Sequence, residues 1–217
     1  MIIAIDGPAG SGKTTTARKV AQILGFIHIN TGAMYRGISL KFIRGQINLD
    51  DPLAIERMLH KTHFDFTGPN CGFLIMDGED ISEEITSSLV AKNVSRISSI
   101  YQVRVKLVEY QRQMARGRNV VLEGRDIGTV VFPNADYKFY LIADIAVRAN
   151  RRKKEIEAAG EHTSLEEVIL FLNDRDHRDS SRQHSPLIKA EDAIELDTTE
   201  LSVKEQVNFI ISIVNKN

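Results

Sequence analysis

Gly7-Pro8-Ala9-Gly10-Ser11-Gly12-Lys13-Thr14 brings glycines, a lysine and a threonine, each with its own chemistry, into eight positions. Glycines let successive backbone N–H groups curl around an anion, because they tolerate dihedral angles that other residues avoid. A lysine at this spacing reaches the β- and γ-phosphates of a bound nucleotide. The hydroxyl of Thr14 is placed to ligate Mg²⁺, and Thr15 extends the run. The segment follows the apolar run Ile2 to Asp6 and opens a helical pattern from about Lys13 to Leu24. The positive end of that helix therefore faces the anion as well. Binding of a nucleotide with Mg²⁺ rests on Gly7, Pro8, Ala9, Gly10, Ser11, Gly12, Lys13, Thr14 and Thr15, a motif that by itself leaves open a kinase using ATP, a GTPase or a motor.

A second set of candidate residues is cationic. Arg36 ends the run Thr31-Gly32-Ala33-Met34-Tyr35-Arg36, and Arg125 lies in Glu123-Gly124-Arg125-Asp126 after an apolar run. Open α/β sheets bind their ligands at such carboxyl ends of strands. Arg148, Arg151 and Arg152 have i, i+3, i+4 spacing and are expected to share one helical face. In Asp174-Arg175-Asp176-His177-Arg178-Asp179-Ser180-Ser181-Arg182, helical periodicity would project Arg175, Asp179 and Arg182 together. Clustered arginines suit phosphate recognition. Bringing two polyanions together for phosphoryl transfer demands such compensation. A phosphomonoester with a second pKa near ~6 is already a dianion at neutral pH, so a phosphate acceptor needs no general base. The Asn-Lys-x-Asp signature of guanine-specific switches is absent.

Positioning these residues requires a parallel sheet. Ile2 to Asp6, Val120 to Glu123 and Tyr137 to Ile142 read as buried strands, and Phe26 to Ile29 and Ile194 to Leu196 as short ones. Helices are expected over Thr31 to about Arg44, with Thr31 near its cap, and over Val203 to Val214. Between them, His63 to Asp80 alternates and is broken by Gly-Pro-Asn-Cys-Gly and Asp77-Gly78, predicting short antiparallel strands. Ile81 to Ser99 is expected to be helical. The fold class is thus α/β: a three-layer fold around a central parallel sheet, with a small α+β insertion over 65–100. The core is formed by 1–64 and 101–217.

The 217 residues are 42% hydrophobic, enough for one core with a small insertion. Lys+Arg (28) nearly balances Asp+Glu (29). A net charge of −1 argues against a nucleic-acid or membrane-surface binder, so any anionic ligand must be met by locally gathered arginines. The single cysteine, Cys71, cannot form an internal disulfide and is read as a loop residue; His60 and His63 are read as surface residues. No basic leader or apolar run of about 20 residues is present, so a soluble, cytoplasmic protein is expected, with a monomer as the default.

Taken together, these segments resemble the bacterial cytidylate kinases, a family of P-loop nucleoside monophosphate kinases, over nearly the whole chain. The resemblance is carried by the phosphate loop, Thr31 to Arg36, Gly124-Arg125-Asp126-Ile127-Gly128-Thr129-Val130-Val131-Phe132-Pro133, Arg175 to Arg182, Ser185-Pro186-Leu187 and Leu196-Asp197-Thr198-Thr199. It implies an ATP-dependent kinase with CMP, and dCMP, as small-molecule acceptors. It also implies that the insertion binds the monophosphate and that a mobile helical lid spans about 148–163. Lys13, Arg125, Arg151 and Arg182 would be catalytic. Arg36, Arg125 and Arg182 would hold the acceptor phosphate, with Thr31 beside them, and Arg175 and Asp179 would contact the ribose. Arg148, Arg151 and Arg152 would belong to the lid or the ATP side. Ser95, Arg104 and Asp126 would read the base.

The last role agrees with chemistry. A carboxylate accepts from the cytosine N4 amino group, whereas uracil presents an acceptor there. Two departures from the family pattern stand out: Asn30 where an acidic residue is expected, and Thr14-Thr15 in place of Ser-Thr. Thr14 keeps the hydroxyl. Asn30 removes a charge near the acceptor site. The competing expectations are a kinase with another acceptor, such as UMP, and a P-loop switch module acting through a partner.

Overall fold

A computed structural model describes residues 1–68, 72–158 and 160–215. Five strands form one parallel sheet: β1 (Ile2–Asp6), β2 (Ile27–Asn30), β6 (Val120–Gly124), β7 (Tyr137–Ile142) and β8 (Ile194–Asp197). Their order is β2-β6-β1-β7-β8, so the strand leading into the phosphate loop sits in the centre. Ile2 pairs with Val120 and Asp6 with Gly124, which brings the two ligand-bearing strand ends level.

Alternation along the strands splits the core into two layers. Ala4, Ile29, Val120 and Leu122 face α2 (Thr31–Arg44), α3 (Pro52–His60) and α5 (Tyr101–Ala115). Ile3, Ile5, Val121, Phe139 and Leu141 face α1 (Lys13–Leu24) and α8 (Val203–Val214). Both faces being covered explains why the central strands β1 and β6 are apolar runs up to their closing acids. Helices α6 (Ile145–Ala158) and α7 (Leu165–Ser180) pack in a smaller cluster of Ala9, Ala149, Val168 and Leu172, directly over the loop. Ser164 and Ser202 start α7 and α8 with reciprocal capping boxes to Glu167 and Glu205, fixing where each helix begins.

The alternating segment forms a second, antiparallel sheet of β3 (Phe64–Thr67), β4 (Phe73–Met76) and β5 (Glu79–Asp80). It opens one residue before the expected boundary at 65. The turn containing Cys71 lies outside the described residues. The single helix expected over Ile81 to Ser99 is shorter: a 3-10 turn at Glu84–Thr86 precedes α4 (Ser88–Ser98), because Ser87 accepts from the Val90 N–H and caps a new start. Helix α5 goes beyond the elements expected from the sequence, and α3 ends at His60; Asp51 caps α3 through the N–H groups of Leu53 and Ala54.

Candidate active site

The phosphate loop is held from outside by its own carbonyls. Pro8 O accepts from Lys13 Nζ (2.5 Å) and Ser11 Oγ (3.0 Å). Ala9 O accepts from Arg148 (3.2 Å), Gly10 O from Arg151 (3.3 Å) and Ser11 O from the Thr198 hydroxyl (3.0 Å). Gly12 caps α1 in a left-handed conformation with no side-chain bond, leaving the first-turn N–H groups for a ligand. Gly7 is obligatory for a different reason: a Cβ there would stand 2.1 Å from the Leu141 carbonyl. Burial, then the nearby Arg125 charge, holds the Lys13 ammonium well below its ordinary pKa. Thr14 donates to Glu123 Oε2 (2.7 Å). That carboxylate also meets His28 Nε2 (3.2 Å), and the pull of His28, Lys13 and Thr14 outweighs its burial to keep its pKa low.

Across from the loop lies the other half of one cleft of about 690 Å³. Thr31, Arg36, Ser95, Arg104, Arg125, Asp126, Arg175, Asp179 and Arg182 all line it, together with Ala9, Gly10, Gly12 to Thr15, Arg151 and Arg152. Gly7, Pro8 and Ser11 lie behind the lining. Eight basic side chains against four carboxylates mark the cleft for a polyanion, although the whole chain carries −1. Arg36 has no hydrogen-bond or ion-pair partner among the described residues, and burial with the repulsion of Arg125 and Arg152 lowers its pKa. Burial, Arg125 and Arg36 push Arg175 down to about 9, and its Nε is buried without a partner among the described residues. Such mutually repelling cations have the chemistry that a multiply charged anion would satisfy.

Asp179 neutralises part of this field: Arg125 Nε donates to it at 2.9 Å, and Arg125, Arg175 and Arg182 outweigh burial to lower its pKa. The helical reading of Arg175, Asp179 and Arg182 needs correction. Helix α7 ends at Ser180, and Arg182 returns to the cleft from the following loop by donating Nε to the Asp179 carbonyl (3.2 Å). Arg148, Arg151 and Arg152 all lie on α6, and Arg148 and Arg151 share the face toward the phosphate loop, donating to the adjacent carbonyls of Ala9 and Gly10, but at different depths. Arg148 is buried beneath the loop on Asp176 (2.5 Å) and the Ala143 carbonyl (3.0 Å), while Arg151 and Arg152 reach the cleft. Burial in the small cluster over the loop drew Arg148 inward. Arg151 also donates to Thr198 O (2.7 Å), and Arg152 to Glu155 (2.8 Å).

The base-reading candidates sit at the deep end. Arg104 donates to Asp126 Oδ2 (2.5 Å) and Ser98 O (3.2 Å), and its guanidinium lies 5.2 Å from the centre of the Tyr35 ring. Ser95 lines the same end from α4. Thr31 donates to the Glu123 carbonyl (2.7 Å), tying α2 to β6. Asn30, rather than Thr31, is the cap of α2: its side chain accepts from the Ala33 N–H (3.0 Å). An uncharged amide can fill that role, which gives the departure at this position a local structural purpose.

Several site residues carry no role from sequence reasoning. Tyr35 precedes Arg36 within the same motif, and its buried hydroxyl has no partner among the described residues. Glu123 heads the Gly-Arg-Asp segment and joins Thr14, His28 and Thr31. Asp6 is buried at the end of β1 and accepts from the Ile127 (2.9 Å) and Gly128 (2.7 Å) N–H groups. An acid closing an otherwise apolar strand is the sequence signal that could have found both carboxylates. Thr198, just after β8, donates to the phosphate loop, and Gln206 of α8 accepts from Thr16 of α1 (2.7 Å).

A family model described as cytidylate kinase matches residues 3–216. The chain is 46% identical over 215 residues to the cytidylate kinase of Caldanaerobacter subterraneus, covering 99% of this chain and 95% of that one. It is 44% identical over 216 residues to the cytidylate kinase of Fusobacterium nucleatum, covering 100% and 98%. Similar solved structures include an uncharacterized protein from Eubacterium ventriosum (TM-score 0.53, 14% identity, 100% of this chain and 99% of that one). A gluconokinase from Sinorhizobium meliloti is also similar (TM-score 0.52, 12% identity, 99% and 91%). At such identities these structures speak for the α/β kinase-like fold alone. The extent of the sequence match is decisive, and the chain belongs to the cytidylate kinase family.

Proposed function

We propose that this protein transfers the γ-phosphate of ATP to CMP, and also to dCMP, giving ADP and the pyrimidine diphosphate. The observation that carries the reading is the meeting of a phosphate loop, four acceptor-side arginines and the buried Arg104–Asp126 pair in one cleft. The names of the relatives point the same way. Lys13 turns from the Pro8 carbonyl to the β- and γ-phosphates, and Arg36, Arg125 and Arg182 draw the acceptor phosphate into line. Arg175 and Asp179 meet the ribose. Asp126 accepts from the cytosine N4 amino group, and Arg104 with Ser95 donates to N3 or O2.

The Thr14 hydroxyl, with its one proton committed to Glu123, turns oxygen lone pairs toward the cleft and fits Mg²⁺. The ion supplies neutralising charge beside the β- and γ-phosphates. Residues 65–100 serve as the monophosphate-binding subdomain, and about 148–163 as a lid whose Arg151 and Arg152 close over the phosphates and exclude water. No helix among the described residues is long and apolar enough to cross a membrane. A soluble cytoplasmic monomer is the form we assign to it.

The test is ADP release from ATP and Mg²⁺ with CMP, dCMP, UMP or AMP as acceptor. Turnover on CMP and dCMP alone is expected. Preference for UMP would replace the acceptor, and absence of acceptor-dependent release with all four would overturn the kinase reading.

A further inference from the structure

Asp6 is a buried carboxylate that none of the roles above uses. It is the last residue of β1 and the one immediately before Gly7, so its backbone leads directly into the phosphate loop. Its side chain points the other way along the site. Oδ1 accepts from the N–H of Ile127 and Oδ2 from that of Gly128, both within a π-helical turn at Ile127–Val131. That turn follows Arg125 and Asp126 without an intervening residue. One carboxylate therefore bridges the start of the donor loop and the segment that carries the acceptor-phosphate arginine and the base-reading acid.

The surroundings make this contact specific. A Cβ on Gly128 would stand 3.1 Å from Lys138 Cδ and 3.5 Å from Asp6 Oδ2, so the turn approaches closely at a residue without a side chain. Lys138 does not neutralise Asp6: its ammonium is committed to Asp192 and the Pro133 carbonyl. The charged groups that act on Asp6 are Asp126, which opposes its ionisation, and Lys13, which favours it; Tyr140 faces it from β7. Desolvation dominates and lifts its pKa to about 6 despite the two N–H bonds. A carboxylate kept where burial penalises its charge is poorly explained as a stabilising device.

We propose that Asp6 is a positioning residue for acceptor selection, fixing Arg125 and Asp126 against the phosphate loop through the amides of Ile127 and Gly128. This rests on the CMP kinase reading for its catalytic consequence, but the tether itself is independent of the acceptor's identity. Asn at position 6 offers one acceptor oxygen and turns an N–H₂ donor toward a second N–H, so one of the two bonds is lost.

The experiment compares the full-length wild type, Asp6→Asn and Gly128→Ala. In Asp6→Asn, KM for CMP is expected to rise about 10- to 100-fold, the range for a lost charge-assisted hydrogen bond. KM for ATP stays within about twofold and selectivity for CMP over UMP falls, because the phosphate-loop carbonyls are held by other donors, Lys13, Arg148, Arg151 and Thr198. Gly128→Ala leaves residue 6 unchanged but presses a methyl between Lys138 and the Asp6 carboxylate, so it perturbs the same contact and gives the same acceptor-side split; it decides the matter if Asp6→Asn does not fold. Amide exchange is followed in the same samples: Ile127 and Gly128 exchange slowly in the wild type and more than about 10-fold faster in whichever variant folds. A parallel rise of both KM values, as a merely structural role would produce, overturns the proposal. So does unchanged exchange at the two amides. Absence of CMP turnover by the wild type would refute the activity reading, while the exchange result would still decide the tether.

Discussion

Removing the Asp126 carboxylate should expose how much of the site depends on one buried ion pair. Arg104 and Asp126 are 3% and 4% exposed and meet at 2.5 Å. In Asp126→Ala the guanidinium keeps only the Ser98 carbonyl and the Tyr35 ring, and its Nε already lacks a partner among the described residues. Breaking a buried pair from one side costs about 3–5 kcal/mol, because the remaining charge is stranded. For a chain of this length that corresponds to a fall in Tm of roughly 10 °C. Arg104→Met/Asp126→Ala removes the stranded charge, and its stability should return to within about 1–2 kcal/mol of wild type, far from the sum of the singles. Urea unfolding of the four proteins measures the coupling. In parallel, ADP release with CMP and UMP should show the single variant losing roughly 100-fold in its preference for CMP, as the N4 donor loses its acceptor. Additive losses in stability would refute the buried-pair account. An unchanged CMP preference would refute the assignment of Asp126 to the base.

Arg36→Met should lower kcat/KM for CMP by about 100-fold or more, as expected for a lost charged phosphate contact. Its Tm should hold or rise, since Arg36 is repelled by Arg125 and Arg152 and has no partner among the described residues; a lower Tm with normal kinetics would contradict this. Arg151→Lys gives up the paired bonds to Thr198 and Gly10, so KM for ATP should rise about 10-fold with little change for CMP, measured by varying each substrate in turn. The Asp6 carboxyl has a folded pKa of about 6, above its ordinary 3.8. The native state therefore holds the proton more tightly, and the stabilisation is fully present below pH 3.8 and lost as pH rises through about 6. Wild-type stability relative to Asp6→Asn should fall by about 2 kcal/mol between pH 4.5 and 7.5 at ~1.36 kcal/mol per tenfold in proton affinity, followed by denaturant melts across that range.

What could be seen in the sequence was whatever local pattern determines. The central strands β1 and β6 are covered on both faces and read as apolar runs closed by Asp6 and Glu123, and Gly12-Lys13 marks the opening of α1 within a residue. The acceptor arginines were visible as motif members, yet their arrangement was not. Arg182 reaches the cleft by a bond to the Asp179 carbonyl beyond the helix end, which helical periodicity cannot anticipate. Arg148 has the same spacing from its neighbours that any surface arginine has; only the packing of α6 and α7 over Ala9 turns it inward. Asp6, Tyr35 and Glu123 escaped assignment because their partners lie about a hundred residues away or on another element. Long-range side-chain geometry is set by tertiary contact, and a single sequence leaves no periodic trace of it.

Helix α2 belongs to two hydrophobic clusters at once. Met34, Ile38 and Phe42 fill the main core, whereas Ala33 and Leu40 complete the cluster of Leu74, Met76, Ile81, Ile85 and Val90 beneath the second sheet. At Gly37 the helix approaches so closely that a Cβ would come within 3.0 Å of both Ile81 and Phe64. The inserted segment is consequently not a detachable module. Excising it would bare an apolar stripe on the helix that carries Thr31 and Arg36, and transplanting it would leave its own interior without a wall. A chimaera that exchanges this segment with a relative should therefore keep its packing only if α2 is exchanged with it.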